Sequence, residues 1–219
     1  MKHKIFPLKS INVGRIETLH YGEKTLKTAM RKRPITEPAY VSKTGFLEDQ
    51  QEFKGHGGTE KALCLYPTEH YTYWQDILEG VENHTALFGE NLSSTGITED
   101  NTHIGDIFQL GEAVIQVTEP RTPCHKIATR YNVPDLARQM RDQGNTGFLF
   151  RVLEEGYVRP GDALYLKERD ANQVSVSFVN HVKFFDPKNQ EKIAEVLAVD
   201  ALSKTLRKSL EKRIANKFL

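Results

Sequence analysis

The strongest constraint on how this chain can fold is its series of short apolar alternations broken by glycine turns. Ala113, Ile115 and Val117 fall on one face, as in a half-buried strand, and Leu110-Gly111-Glu112 ahead of them reads as a hairpin turn. Thr102–Leu110 and Val158–Leu166 share the pattern x-x-Gly-Asp-x-x-x-Leu, in which a Gly-Asp turn launches an apolar strand. Ser10–His20, Ala39–Lys43, Ala62–Tyr66 and Phe148–Leu153 add further strand-like segments. Many short strands with few helices predict a β-rich (α+β) fold built on a small barrel or closed sheet.

Helical periodicity is confined to a few stretches. Over Pro67–Leu78, Thr68 can cap, Glu69 suits the first turn, and Tyr71, Trp74 and Leu78 share one apolar face. Over Pro134–Gln143, Pro134 suits the first helical position and Gly144 stops the helix. Leu87–Ile97 reads as a polar loop punctuated by glycine. The last fifty or so residues change character. Lys188–Val199 places Ile193, Val196 and Leu197 on one side, and Ala201–Phe218 repeats Leu202, Leu206, Leu210 and Ile214 every four residues. Gln173–Phe178 alternates like a strand, yet extended to Phe185 its apolar residues also fit a helix face. The pattern leaves both open.

Charge and composition exclude several classes. Charged residues make up 27% and hydrophobic ones 38%, an ordinary soluble balance, and the formal net charge is +1. That gives no whole-chain case for a nucleic-acid or membrane partner. The terminal segment from Ala201 carries six Lys or Arg against Glu211 alone, which reads as the solvated face of a helix rather than a nucleic-acid surface. Two cysteines do not make a disulfide framework, so a cytoplasmic setting is expected. The first residues lack the apolar core of a signal peptide, and no window approaches the ~20 apolar residues of a membrane span.

Chemistry concentrates in Glu119-Pro120-Arg121-Thr122-Pro123-Cys124-His125-Lys126. The prolines stiffen the loop, and Arg121, His125 and Lys126 crowd positive charge near the sulfur, an environment that favours a thiolate able to attack electrophiles or bind soft metals. A buried, inert Cys124 is the other reading. Cys64, in Ala62-Leu63-Cys64-Leu65, suits a buried strand. In Asp49–Lys61, three glycines surround His56 and Lys61 follows, which fits either a tight turn or an anion-binding nest. Within the basic cluster Arg31-Lys32-Arg33-Pro34, one cation can lean towards a phosphate, while the rest read as solvated surface. Glu90-Asn91 can be a ligand contact or turn chemistry. Dispersed histidines without C-x-x-C or H-x-x-x-H speak against zinc, and sequence neighbours such as Cys124 and His125 seldom have nucleophile–base geometry.

Several motifs together resemble a known family. Lys32-Arg33-Pro34, His56-Gly57-Gly58 with Lys61-Ala62-Leu63, Tyr66-Pro67 with His70-Tyr71 and Trp74, Gly89-Glu90-Asn91-Leu92, Ile104-Gly105-Asp106 and Pro120-Arg121-x-Pro123-Cys124-x-Lys126 occur in order, as in the MOSC domain, named after the C-terminal domain of molybdenum-cofactor sulfurase. The chain is similar to the YiiM-type, 6-N-hydroxylaminopurine-resistance subgroup. The resemblance implies a MOSC β-barrel over residues 10–166 with peripheral helices, and a three-helix appendage over 172–219. It also implies molybdenum cofactor as ligand and leaves pyridoxal phosphate binding open. Cys124 would be the metal ligand and catalytic residue. Lys32, His56, Gly57, Gly58, Lys61 and Arg121 would cradle the pterin and its phosphate. Glu90 and Asn91 would line the pocket, and Lys126, with Arg121, would favour the ionised thiol beside the cofactor.

The implied reaction is two-electron reduction of an N–OH group in a small N-hydroxylated base such as 6-hydroxylaminopurine, or in an amidoxime. Electrons would come from a separate reductase protein, since no flavin or nicotinamide motif is visible. A carrier or sulfur-relay role, with a persulfide on Cys124, is the alternative. Monomer and homodimer are both compatible with the sequence. The chain departs from the family at Glu48, where a glycine commonly stands, which puts any role of Asp49 or Gln50 in question.

Overall fold

The computed structural model describes residues 4–21, 24–78 and 85–215. The expected end of the last helix, including Lys217 and Phe218, lies outside the described residues, as do the first three. Seven strands close into a barrel: β1 (Ile5–Val13), β2 (Leu63–Pro67), β3 (Leu92–Ser94), β4 (Ile107–Leu110), β5 (Ala113–Pro120), β6 (Phe148–Glu154) and β7 (Ala163–Glu168). Around the barrel the order is β1-β7-β4-β5-β6-β2-β3 and back to β1. Every pairing is antiparallel except β2–β3, so the barrel is mixed. Closure satisfies the edge groups that an open sheet would leave unpaired.

Strand register explains the interior. Phe6 stands opposite Leu164, Leu164 opposite Leu110, Ile115 opposite Phe108, Val117 opposite Phe150, Phe150 opposite Leu63, and Leu65 opposite Leu92. All of these are buried. Burying such side chains contributes about 1.5–3 kcal/mol each. Strand β3 lies inside the stretch that reads as a polar loop. Its serines are buried because partners await them: Asn12 Nδ2 donates to Ser93 Oγ at 3.2 Å, and Ser94 Oγ donates to the Pro7 carbonyl at 2.9 Å.

The expected strand Ser10–His20 divides in two. Strand β1 ends at Val13, and a hairpin of Glu17–Tyr21 with Lys24–Thr28 follows. Gly14 sits between them because a Cβ there would come within 2.7 Å of the Ala29 carbonyl oxygen. Arg33–Pro34 pairs with the end of β1, and Ala39–Ser42 pairs with Gly45–Phe46 and Gly156–Val158 outside the barrel.

Six α-helices occur among the described residues: α1 (Tyr71–Gln75), α2 (His125–Tyr131), α3 (Leu136–Asp142), α4 (Val176–Phe184), α5 (Gln190–Leu197) and α6 (Lys204–Ala215). The expected helix Pro67–Leu78 is a 3-10 turn at Thr68–His70 followed by the short α1. Thr68 does not cap it; its Oγ1 donates to the Ser94 carbonyl at 3.1 Å. Helix α2 has no clear sequence signal, and α3 starts after Pro134 rather than on it. Together α1–α3 cover a second cluster that includes Tyr66, Tyr71, Trp74, Phe88, Ile127 and Met140.

The ambiguity at Gln173–Phe178 resolves as helix, because Ser175 Oγ accepts the Phe178 N–H at 3.1 Å and caps α4. Asn189 caps α5 in the same way. Val176, Val179, Val182, Ile193, Val196, Leu206 and Leu210 from the tail join the same buried cluster as the barrel interior. None of the described helices is long and apolar enough to cross a membrane.

Candidate functional site

Beside the barrel interior runs an outward-facing row across three strands. Glu119 of β5 stands opposite Leu149 of β6, which stands opposite Cys64 of β2. While Leu63, Leu65, Phe148 and Phe150 point inwards, this row forms the floor of a cavity of about 390 Å³ on the barrel's outer wall. That volume suits a small organic ligand. Its roof comes from the end of the hairpin (Thr28–Met30), the segment 50–56, and the loop 121–126 that leaves β5. Cys124 therefore stands at the wall beyond a strand end, not in the barrel lumen.

Seven of the expected site residues line this cavity: Lys32, His56, Lys61, Asn91, Arg121, Cys124 and Lys126. Three do not. Glu90 is fully buried behind it, where its carboxylate accepts from the Tyr71 hydroxyl, from Ser93 Oγ at 3.1 Å and from the Phe88 N–H at 2.9 Å. It braces the turn before β3 instead of meeting a ligand. Gly57 packs under the Gln51 side chain, where a Cβ would overlap the amide at 1.7 Å. Gly58 holds a φ of +99° at the edge of a separate, smaller hollow.

The lysines are held by carboxylates. Lys32 pairs with Asp49, Lys126 with Glu52, and Lys61 Nζ lies 3.0 Å from Glu119 Oε1. Asp49 is a hub. It accepts from the Gly14 N–H at 2.7 Å and from Asn91 Nδ2 at 2.8 Å as well as from Lys32. Glu48 stands exposed beside it without a positive φ, so the family's glycine is not needed at that position. Gln50 Oε1 accepts the Ile16 N–H at 2.8 Å, and both Gln50 and Asn91 reach the cavity. Asn91 also brackets Cys64: its N–H donates to the Cys64 carbonyl at 2.8 Å, and its Oδ1 accepts the Cys64 N–H at 3.1 Å.

Arg121 differs from the lysines. Its Nη2 donates to the Phe88 carbonyl at 2.6 Å, whereas its Nη1 is buried without a partner. An unsatisfied buried guanidinium N–H is costly and marks a place for an acceptor. Arg121 also acts on Cys64. Burial pushes the Cys64 thiol up, and the nearby guanidinium partly offsets this. Lys126, which lines the cavity with Arg121 and Cys124, donates to Glu52 and to the Lys27 carbonyl at 3.1 Å. Cys124 Sγ lies 3.8 Å from His125 Nδ1. Cys124 itself precedes α2 in an extended conformation, with φ −99° and ψ 146°.

His56 is held below the usual histidine range by burial first, then by Arg121, Lys126 and Lys61. It is therefore the neutral ring of a cationic wall. Among the described residues no group of three or more His, Cys, Asp or Glu side chains is placed to hold a metal. The donor set is instead one mouth thiol, a neutral imidazole and an unpartnered guanidinium N–H. That set fits a metal that arrives with most of its own ligands on an anionic organic carrier.

Comparison with known proteins gives the setting. The MOSC domain family matches residues 52–165, and the YiiM-like, 3-alpha helix domain family matches residues 174–217. The Bacillus subtilis protein YflK is 41% identical over 214 residues, 97% of this chain and 96% of its own length. Escherichia coli YiiM is 35% identical over 206 residues, 93% of this chain and 90% of its own. A Gibberella moniliformis protein named "Reductase" is 35% identical over 178 residues, 80% of this chain but 32% of its own length. The crystal structure of YiiM from Geobacillus stearothermophilus superimposes with a TM-score of 0.78 at 35% identity, covering 93% of this chain and 96% of that one. The chain belongs to the MOSC family, in the YiiM-like group that carries a three-helix domain after the barrel.

Proposed function

We propose that this protein is a molybdenum-cofactor-dependent reductase of N-hydroxylated compounds, with N-hydroxylated bases such as 6-hydroxylaminopurine as the leading substrate class. The observation that carries the reading is the pairing, in one cavity, of the Cys124 thiol with the unpartnered Arg121 Nη1. A soft sulfur donor suits the metal, and the guanidinium suits an anionic oxygen of the pterin phosphate. Membership of the MOSC family and similarity to a protein named "Reductase" support an oxidoreductase.

In this reading Cys124 holds the metal, Arg121 and Lys61 hold the anionic end of the cofactor, and Asn91 and Asp49 keep the floor rigid. The cofactor supplies two-electron exchange coupled to oxygen transfer. The N–O bond of R–NH–OH would break with two electrons from a separate reductase protein and two protons from solvent: one proton forms the new N–H bond, and the other joins the departing hydroxyl, which leaves as water. The chain's own share is to position the N–OH group, keep the cavity walls fixed and exclude competing solvent.

The test is metal analysis of protein from a cofactor-competent host, followed by reduction of 6-hydroxylaminopurine by wild type and Cys124→Ala with an electron donor. Loss of both metal and turnover in the variant is expected. Equal activity would remove Cys124 from the role. A persulfide on Cys124 in the mass spectrum, with no turnover by metal-loaded protein, would assign a sulfur-carrier role instead.

A further inference from the structure

The cavity carries one exposed aromatic ring. Phe53 is the only Phe, Tyr or Trp among the described lining residues, and it is 56% exposed. A phenylalanine is expected to bury its ring, and here the protein's own packing leaves this one open. The ring is nonetheless held in place. It meets His56 edge-to-face, with centroids 5.0 Å apart and planes at 71°. It lies over Gly55, where a Cβ would come within 2.5 Å of a ring carbon, so glycine is what lets the ring fold back on the loop. The His56 N–H donates to the Phe53 carbonyl at 3.0 Å and closes the same turn. Met30 and Pro123 add apolar surface to the same cavity, which Cys124 also lines.

We infer that Phe53 and His56 form a shelf on which a planar heteroaromatic ligand stacks, with His56 offering a ring nitrogen to hydrogen-bond the ligand's edge. This rests on the reductase reading for its substrate, but not for the binding itself. An aromatic face holds a flat base of any substitution pattern, while an edge-on imidazole supplies the polar contact. His56 is kept neutral by burial and by the surrounding cations, so it can serve as donor or acceptor. The shelf makes aromatic N-hydroxylamines better substrates than aliphatic ones of the same oxidation state.

The test uses the full chain and two probes. Adenine binding to wild type, Phe53→Ala and Phe53→Trp is followed by NMR, through ring-current shifts and saturation transfer. Cofactor-loaded enzyme is assayed on 6-hydroxylaminopurine and on acetamidoxime. For Phe53→Ala we expect weaker adenine binding and a KM for the purine raised at least about fivefold with kcat retained. Acetamidoxime kinetics should be unchanged, and Phe53→Trp should keep wild-type behaviour. Equal adenine binding in wild type and Phe53→Ala, no adenine binding in wild type, or an equal loss on both substrates would overturn the shelf. No turnover of either substrate by loaded wild type, alongside Phe53-dependent adenine binding, would sink the reductase reading and leave the shelf standing.

Discussion

Lys183 Nζ of α4 donates to Thr122 Oγ1 at 2.5 Å, so a helix of the tail reaches the loop that carries Cys124. The contact is not isolated. Arg213 of α6 donates to the Lys183 carbonyl at 3.2 Å, Asn180 Nδ2 donates to Thr146 Oγ1 at 2.8 Å, and the Ser203 N–H donates to the Thr118 carbonyl at 3.1 Å. Thr118 lies on β5, just ahead of the Cys124 loop. The three-helix tail thus braces the strand and loop that present the thiol, in addition to sharing the barrel's core.

Burial lowers the Lys183 ammonium to about 8, with Glu119 opposing the shift and Lys61 and Arg213 adding to it. Its folded pKa lies below the ordinary 10.5, so folding disfavours the charged form. Below pH 8 both states carry the charge and the folded state bears the desolvation cost. Between pH 8 and 10.5 the unfolded chain binds the extra proton, so stability rises with pH. Lys183→Met should therefore gain most relative to wild type below pH 8, and the difference should shrink as pH approaches 10.5. Urea denaturation from pH 7 to 10 reads this directly, and a pH-independent difference would contradict it.

The Lys32–Asp49 pair is nearly closed to solvent, with side chains 7% and 6% exposed. Removing one partner of such a pair strands the other charge and costs about 3–5 kcal/mol. Asp49→Ala should reach that range in chemical denaturation, because it also frees the Gly14 N–H and Asn91 Nδ2. Lys32→Met should cost less, since Asp49 keeps two neutral donors. An Asp49→Ala variant within 1 kcal/mol or so of wild type would remove the hub from the account of the fold.

Much of this arrangement was legible in the sequence, and the parts that were not share a cause. The alternation at Ala113, Ile115 and Val117 places β5, and the loop from Pro120 to Lys126 marks the cavity's roof. Strand β3 escaped because Ser93 and Ser94 are buried by hydrogen bonds to Asn12 and Pro7, not by being apolar. Glu90 looked like a ligand contact because a buried carboxylate served by Tyr71 and Ser93 cannot be told from an exposed one by spacing. The pairing of Asp49, Glu52 and Glu119 with Lys32, Lys126 and Lys61 was hidden for the same reason: an ion pair between distant segments exists only once the fold has brought them together. Phe53 carried no signal at all, since a single aromatic in a glycine-rich loop is ordinarily core.

His56 supplies a pH-dependent prediction for ligand binding. Burial and the positive Arg121, Lys126 and Lys61 hold it below its ordinary 6.5. An anion bound in the cavity adds negative charge and raises that pKa, so binding takes up a proton. Affinity for sulfate, which does not titrate in this range, should strengthen as pH falls below 6.5, and His56→Ala should flatten the dependence. Calorimetry in buffers of different ionisation enthalpy measures the proton uptake, and none near pH 6 would exclude this role for His56.

The two thiols of the cavity should differ sharply in reactivity. Cys64 sits on the floor in β2, with its N–H and carbonyl both bound to Asn91, and burial pushes its thiol up. Cys124 sits in the loop beside His125, whose exposed ring flanks its sulfur. Since the thiolate is the attacking form and burial disfavours it at Cys64, iodoacetamide at neutral pH should modify Cys124 at least about tenfold faster than Cys64. Cys124→Ala should remove the fast phase and Cys64→Ala should leave it. The Arg121 guanidinium, followed by Lys32, restrains the rise at Cys64, so Arg121→Met should slow Cys64 further while sparing the fast phase. Peptide mapping with timed quenching gives both rates. A Cys64 that reacts first would mean that the floor opens to solvent more readily than the loop, and the assignment of the two sulfurs would have to be exchanged.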